Sequence, residues 1–253
     1  MCYQVTDRPP LPPVATMPAQ STDLELTAAD GNRFAARLAL PDAAPLAQVL
    51  VLPDVRGLHG FYQDLADRFA SVGVAALALD YFGRTAGITP RDEGFDFWPH
   101  VHQLQLNNFF IDAVAALTHM RAATPPGTPT FTVGFCMGGT LSFLCGTQDF
   151  KLNGVVGFYS GFTRDFGDGK TLLEQASLMK VPALGMFGGD DPGIPAEQTA
   201  QFDAALDTAG VAHEVITYPG APHSFFDRKA EQFAAESADA WRRVLRFFGA
   251  TGA

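Results

Sequence analysis

Apolar positions along this 253-residue chain switch between two periods. Residues 24–27 (Leu-Glu-Leu-Thr) alternate, Asp30-Gly31-Asn32 supplies turn chemistry, and residues 34–40 alternate again, which predicts a β-hairpin. Residues 48–53 and 74–79 are continuous apolar runs, as strands covered on both faces require. Between them, Phe61, Leu65, Phe69 and Val72 fall at helical spacing, and residues 98–120 carry one long helical pattern through Val101, Leu104, Phe109, Ala113 and Leu117. Past the break at Pro125-Pro126-Gly127, strands are predicted at 130–135, 154–159, 183–187 and 214–218, with helices at 140–146, 198–206 and 231–248. Parallel strands need such crossovers, so the expected class is α/β, a mostly parallel twisted sheet flanked by helices. Five prolines (Pro9, Pro10, Pro12, Pro13, Pro18) mark residues 1–20 as an arm, and residues 21–253 read as one domain.

Composition narrows the function classes. Apolar residues make up 47% and charged residues 17%, a globular balance. A net charge of −10 repels phosphate backbones and anionic lipid, so neither nucleic acid nor membrane is an expected partner. Three cysteines make no disulfide framework and suit a reducing, cytoplasmic setting. Residues 1–20 lack the basic and apolar regions of a signal peptide, and no run is long enough to span a bilayer. The expected assembly is a monomer or a dimer.

The segment Thr132-Val133-Gly134-Phe135-Cys136-Met137-Gly138-Gly139 passes from a predicted strand into a predicted helix. Its spacing is that of the nucleophile elbow G-x-S-x-G, with cysteine in the serine position. Positions two before and two after the central residue face opposing backbone, where side chains would clash. The turn lifts the sulfur above the sheet. The helix behind it offers unpaired amides and a partial positive charge, which favour thiolate and oxyanion. A buried cysteine in a glycine-rich turn is the plainer alternative. A dinucleotide fingerprint is excluded, since it needs glycine where Cys136 stands.

A cysteine nucleophile needs a base, and the base needs an orienting acid. Two downstream loops offer them: Gly188-Gly189-Asp190-Asp191-Pro192, and Pro219-Gly220-Ala221-Pro222-His223-Ser224-Phe225. Both follow predicted strands and should share the edge that carries Cys136, where open α/β sheets bind ligands. Among six histidines, His100, His102 and His119 lie in helical patterns and His213 begins a strand. His223 is the candidate base, and His59, which follows a strand, is its rival. Asp190 and Asp191 both stand as the acid. No metal-ligand spacing occurs, so neither metal nor cofactor is expected. Cys145 falls on the far side of a helix from Cys136, which argues against a disulfide between them.

Gly134-Phe-Cys-Met-Gly-Gly, Phe187-Gly-Gly-Asp-Asp-Pro-Gly-Ile-Pro and His223-Ser-Phe together resemble the dienelactone hydrolase (carboxymethylenebutenolidase) family of the α/β-hydrolase superfamily, over about residues 23–248. The resemblance implies an α/β-hydrolase fold and cofactor-free hydrolysis of a small lactone or ester through an acyl-enzyme. By the same resemblance Cys136 is the nucleophile, His223 the base and Asp191, from the family's G-G-x-D pattern, the acid. The amides of Val55 and Met137 would form the oxyanion hole. Where the family holds its resting thiol with a glutamate, this chain has Asp54, one methylene shorter. Thiol activation and turn capping both stand as its role.

The family also grips a substrate carboxylate with two arginines. Arg84 and Arg91 are candidates for the first. At the second position stands Asp227, with Arg228 next, and a negative charge there repels a carboxylate. Arg56 is a candidate replacement. Tyr81, Phe82, Trp98, Tyr159 and Phe225 are expected to line an apolar pocket. The departures at Asp54 and Asp227 also motivate a reading of a different class, a catalytically silent module that keeps the fold.

Overall fold

Five strands, β3 (Ala47–Leu52), β4 (Val74–Leu79), β5 (Thr130–Phe135), β6 (Gly154–Phe158) and β7 (Ala183–Gly188), are buried at every residue. That is why their sequences are apolar runs rather than alternations. The computed structural model describes residues 7–250, so Cys2 and the start of the expected arm lie outside them. The hairpin β1 (Ala19–Thr27) and β2 (Arg33–Pro41) borders one side of the sheet, and β8 (His213–Tyr218) borders the other. The order is β1-β2-β4-β3-β5-β6-β7-β8. β2 pairs antiparallel with β1 and β4, and every other pairing is parallel. The expected helix-flanked, mostly parallel sheet is what the chain forms.

The helices are α1 (Gly60–Ser71), α2 (Gly83–Ala86), α3 (Trp98–Gln103), α4 (Leu106–Ala122), α5 (Met137–Gly146), α6 (Leu172–Gln175), α7 (Ala196–Ala209) and α8 (Ala234–Phe247). Neighbouring residues of β5 show how they divide. The Phe131 ring meets Phe248, just past α8, at 4.6 Å, whereas the Thr132 hydroxyl shares a hydrogen bond of 2.6 Å with Ser142 of α5. Successive strand side chains face opposite sides, so α8 and α5 cover opposite faces. Phe69 of α1 packs edge-on against Trp241 of α8, and Phe143 of α5 packs against Phe202 of α7. From β3 the chain crosses to β4 and then returns past β3 to β5. The carboxyl ends of β3 and β5 therefore flank a topological switch point, the usual ligand crevice of such sheets.

Two sequence expectations need correction. The helical pattern over 98–120 is two helices, because Leu104 and Gln105 are extended and the Leu106 amide turns to Phe166 O. Apolar spacing does not register a two-residue break when both pieces bury the same side. The last helix begins at Ala234 rather than 231, since residues 224–233 are turns in which the Asp227 and Lys229 amides both reach Ser224 O. The described part of the arm is pinned to α1 and α8: Arg8 pairs with Asp64, Pro10 O accepts Trp241 Nε1, and the Met17 amide reaches Ser71 O. Its last residues, from Ala19, already belong to β1. Among the described residues no helix is long and apolar enough to cross a membrane.

One buried ion pair ties the loops at the carboxyl edge. Asp80, just past β4, accepts the amides of Leu58 and Phe82, and its two oxygens receive Arg91 Nε at 3.1 Å and Nη2 at 2.8 Å. Both side chains are at most 2% exposed. Removing the guanidinium would leave the carboxylate buried and uncompensated, at a cost of about 3–5 kcal/mol. Arg91→Met is expected to lower the urea unfolding free energy by about 3 kcal/mol or more; a loss below about 1 kcal/mol would show that the pair does not anchor this edge.

Candidate active site

Cys136 sits between β5 and α5 with φ 54° and ψ −117°, a backbone that L-residues avoid. Close packing imposes it. A Cβ on Gly134 would lie 1.9 Å from Gly138 O, and one on Gly138 would lie 2.1 Å from Leu52 O. The glycines at −2 and +2 thus let β5, α5 and the end of β3 converge on the turn. The Cys136 amide donates to Phe158 O on β6, which fixes the turn from the other side. Cys136 is half-buried, at the head of a ten-residue helix whose leading amides have no acceptor within the helix. Met137 supplies the first of those amides. The approach of Gly138 to Leu52 O and Pro53 O sets the loop bearing Val55 beside them.

The loops after β7 and β8 are stitched together by backbone bonds, Gly189 N to Tyr218 O and Asp190 N to Ala221 O. The stitching aims one of the two adjacent aspartates inward. Asp191 is buried, and its Oδ2 lies 2.6 Å from His223 Nδ1. Its Oδ1 accepts the Gly193 amide. Asp190 is exposed. The rival histidine has another place. His59 precedes α1 and is buried, and burial together with the Arg56 charge pushes its pKa down to about 4. His59 is thus neutral through the neutral range, and Asp191 contacts His223.

Other residues singled out from the sequence have the following contacts. Arg91 is spent on Asp80, and Arg84 is held by Asp30 and Asp112. Both guanidinium forks are filled by aspartates rather than open to a substrate carboxylate. Asp54 Oδ1 accepts the Arg56 amide, which shapes the loop after β3. Arg56 itself is buried. Tyr81 is buried with its hydroxyl on Pro53 O, Phe82 is buried, and Phe225 packs in the core against Phe158 and Tyr218. Trp98 is 52% exposed and stacks on His102. Cys145 is buried, and burial pushes its thiol pKa up, so it is inert.

Two features escaped the sequence reading. Arg164, in the loop after β6, donates to Val101 O at 2.6 Å and lies over the Phe166 ring, within electrostatic reach of Cys136. Its signal was its place, an arginine just beyond the end of a central strand. Asp227, a negative charge at the family's second arginine position, has partners the sequence did not reveal. It is buried, with Oδ2 accepting the Tyr159 hydroxyl at 2.8 Å and Oδ1 accepting the Arg228 amide. Desolvation, with Asp54 adding repulsion, pushes its pKa up to about 7.

Comparison with known proteins adds an independent line. A profile of the dienelactone hydrolase family matches residues 34–252. An Escherichia coli K12 protein, provisionally named a carboxymethylenebutenolidase, is 28% identical over 95% of this chain and 93% of its own. A crystal structure from Klebsiella pneumoniae, provisionally named a dienelactone hydrolase, superposes with a TM-score of 0.81 at 23% identity, covering 92% of this chain and 99% of that one. A dienelactone hydrolase-like promiscuous phosphotriesterase from metagenomic libraries superposes at 0.76 with 21% identity, covering 91% and 98%. At these identities the superpositions establish the α/β-hydrolase fold.

The buried Asp227 links stability to pH. Its folded pKa lies above the ordinary 3.8, so its contribution is complete below pH 4 and is lost as pH rises through 7. Asp227→Asn cannot ionise. Relative to the wild type, the variant is expected to gain stability on the order of 4 kcal/mol between pH 4 and pH 8, read from urea melts across that range. A difference that stays flat with pH would mean the carboxyl is not held protonated.

Proposed function

The chain belongs to the dienelactone hydrolase family, and from that premise we propose that it hydrolyses small lactones and esters through Cys136, His223 and Asp191. The observation that carries this reading is the 2.6 Å contact of Asp191 with His223 Nδ1, at the sheet edge where the strained Cys136 turn emerges. With Nδ1 on the carboxylate, Nε2 is the nitrogen that exchanges protons with the thiol in this reading.

In the proposed cycle the Cys136 sulfur attacks the substrate carbonyl as His223 takes the thiol proton. The oxyanion that forms is received by the Met137 and Val55 amides, where one donor is typically worth about 3 kcal/mol in the transition state. Collapse breaks the acyl–oxygen bond, and His223 returns the proton to the leaving oxygen. In a lactone that alcohol stays tethered to the acyl group. His223 then takes a proton from water, the hydroxide attacks the thioester, and the acid leaves with the Cys136 thiol restored. Asp54, whose Oδ1 holds the Arg56 amide, shapes the Val55 loop in this reading.

Purified protein is expected to hydrolyse p-nitrophenyl butyrate and a small enol-lactone. Cys136→Ala should lower kcat/KM by about a thousandfold or more. A variant that keeps its rate within about tenfold would remove Cys136 from the chemistry.

A further inference from the structure

The side chain behind His223 is Tyr159, and Tyr159 is unusually constrained. It is fully buried and has φ 37°, a strained value for a residue with a Cβ. Such backbones persist where the surroundings over-determine them. Here the Tyr159 amide is held by Met186 O on β7, and its hydroxyl by Asp227 Oδ2 at 2.8 Å. The ring between these two anchors lies 4.8 Å from the His223 imidazole, centroid to centroid, and packs edge-on against Phe225 at 5.7 Å. Asp227 lies four residues past His223 in the same loop, and its amide bonds Ser224 O. The loop that carries the imidazole thus also carries the acceptor that locks the ring packed against it.

We propose that Asp227 is a positioning residue: through the Tyr159 hydroxyl it fixes the ring backing His223, and so keeps Nδ1 on Asp191 and the opposite nitrogen toward Cys136. This rests on the hydrolytic reading above and deepens it. Asp191 fixes one atom of the imidazole, and a planar ring held at one atom can still tilt. The Tyr159 ring, inclined 53° to the imidazole, restricts that freedom, and a displacement of about 1 Å at the reacting nitrogen is enough to cost two orders of magnitude in rate.

The clamp also carries a charge that changes near neutrality. The groups facing Asp227 are Asp54 from the loop after β3, Tyr159 from the end of β6, and His223 and the Arg228 amide from its own loop. On its outer side Asp7, Arg8, Arg228 and Glu231 line a cavity of about 310 Å³ with it. Protonated, Asp227 still accepts the Tyr159 hydroxyl through its carbonyl oxygen, so the clamp persists while its charge disappears. Ionisation restores a negative charge within electrostatic reach of the imidazole.

The test uses Tyr159→Phe, Asp227→Asn and the double variant. Each is assayed with p-nitrophenyl butyrate from pH 5.5 to 9, and the His223 ring nitrogens are followed by NMR. Tyr159→Phe should lower kcat about tenfold with KM within about twofold. Asp227→Asn keeps an acceptor for the hydroxyl and should cost less, but its kcat/KM profile should lose an ionisation near pH 7. The double variant should be no slower than Tyr159→Phe. In NMR the Nδ1 proton signal of His223 should broaden in Tyr159→Phe, whether or not any ester is turned over. An Asp227→Asn profile that scales onto the wild type overturns the proposal, as does an unchanged Nδ1 signal in Tyr159→Phe. Absence of Cys136-dependent hydrolysis in the wild type would instead count against the hydrolytic reading, and the NMR comparison would still decide the clamp.

Discussion

The turn at Cys136 costs on the order of 1–3 kcal/mol in backbone strain, and the surrounding structure has to hold it. It does so by closeness. Gly134 and Gly138 are stripped of side chains so that α5 can press on the ends of β5 and β3, and the Cys136 amide is tied across to β6. The central strands behind the turn are buried on every residue, which gives the sheet the rigidity to keep such a contact. A helix start, two strand ends and a half-buried sulfur meet there because nothing larger than hydrogen fits between them.

The remaining parts reach the same edge by parallel register. β6, β7 and β8 lie side by side, so the residues past their ends, Tyr159, Asp191 and His223, fall into one row. Charge at this edge is handled in two ways. Arg91 fills Asp80 with a bidentate fork, and the pair serves as an anchor for the Leu58 and Phe82 loops. Asp227 is met instead by a phenol and a backbone amide, and burial holds its proton to about pH 7. The first carboxylate stabilises the frame, and the second, in our account, conditions the imidazole.

How far the chain could be read in advance follows from the range of the interactions. Strand identity is local: β3 and β4 announce themselves as apolar runs because both of their faces are covered. The elbow is local too, since its glycines lie within four residues of each other. The break between α3 and α4 was not legible, because a bond from Leu106 to Phe166 enforces it from sixty residues away. Arg84 and Arg91 read as substrate ligands only because Asp80 and Asp112 could not be placed beside them. Asp227 read as a negative charge repelling a substrate carboxylate, since its partner Tyr159 is 68 residues distant in the chain. Motifs carry chemistry across a few residues, but pairings between loops are decided by sheet order.

The central claim is that an acyl group passes through the Cys136 sulfur. Rapid acid quench of the wild-type protein with p-nitrophenyl butyrate, followed by peptide mass spectrometry, tests it most directly. One butyryl group is expected on the peptide bearing Cys136, appearing before steady state and disappearing as substrate is exhausted. An acyl group found on another residue, or hydrolysis undiminished after Cys136 has been alkylated with iodoacetamide, would contradict it.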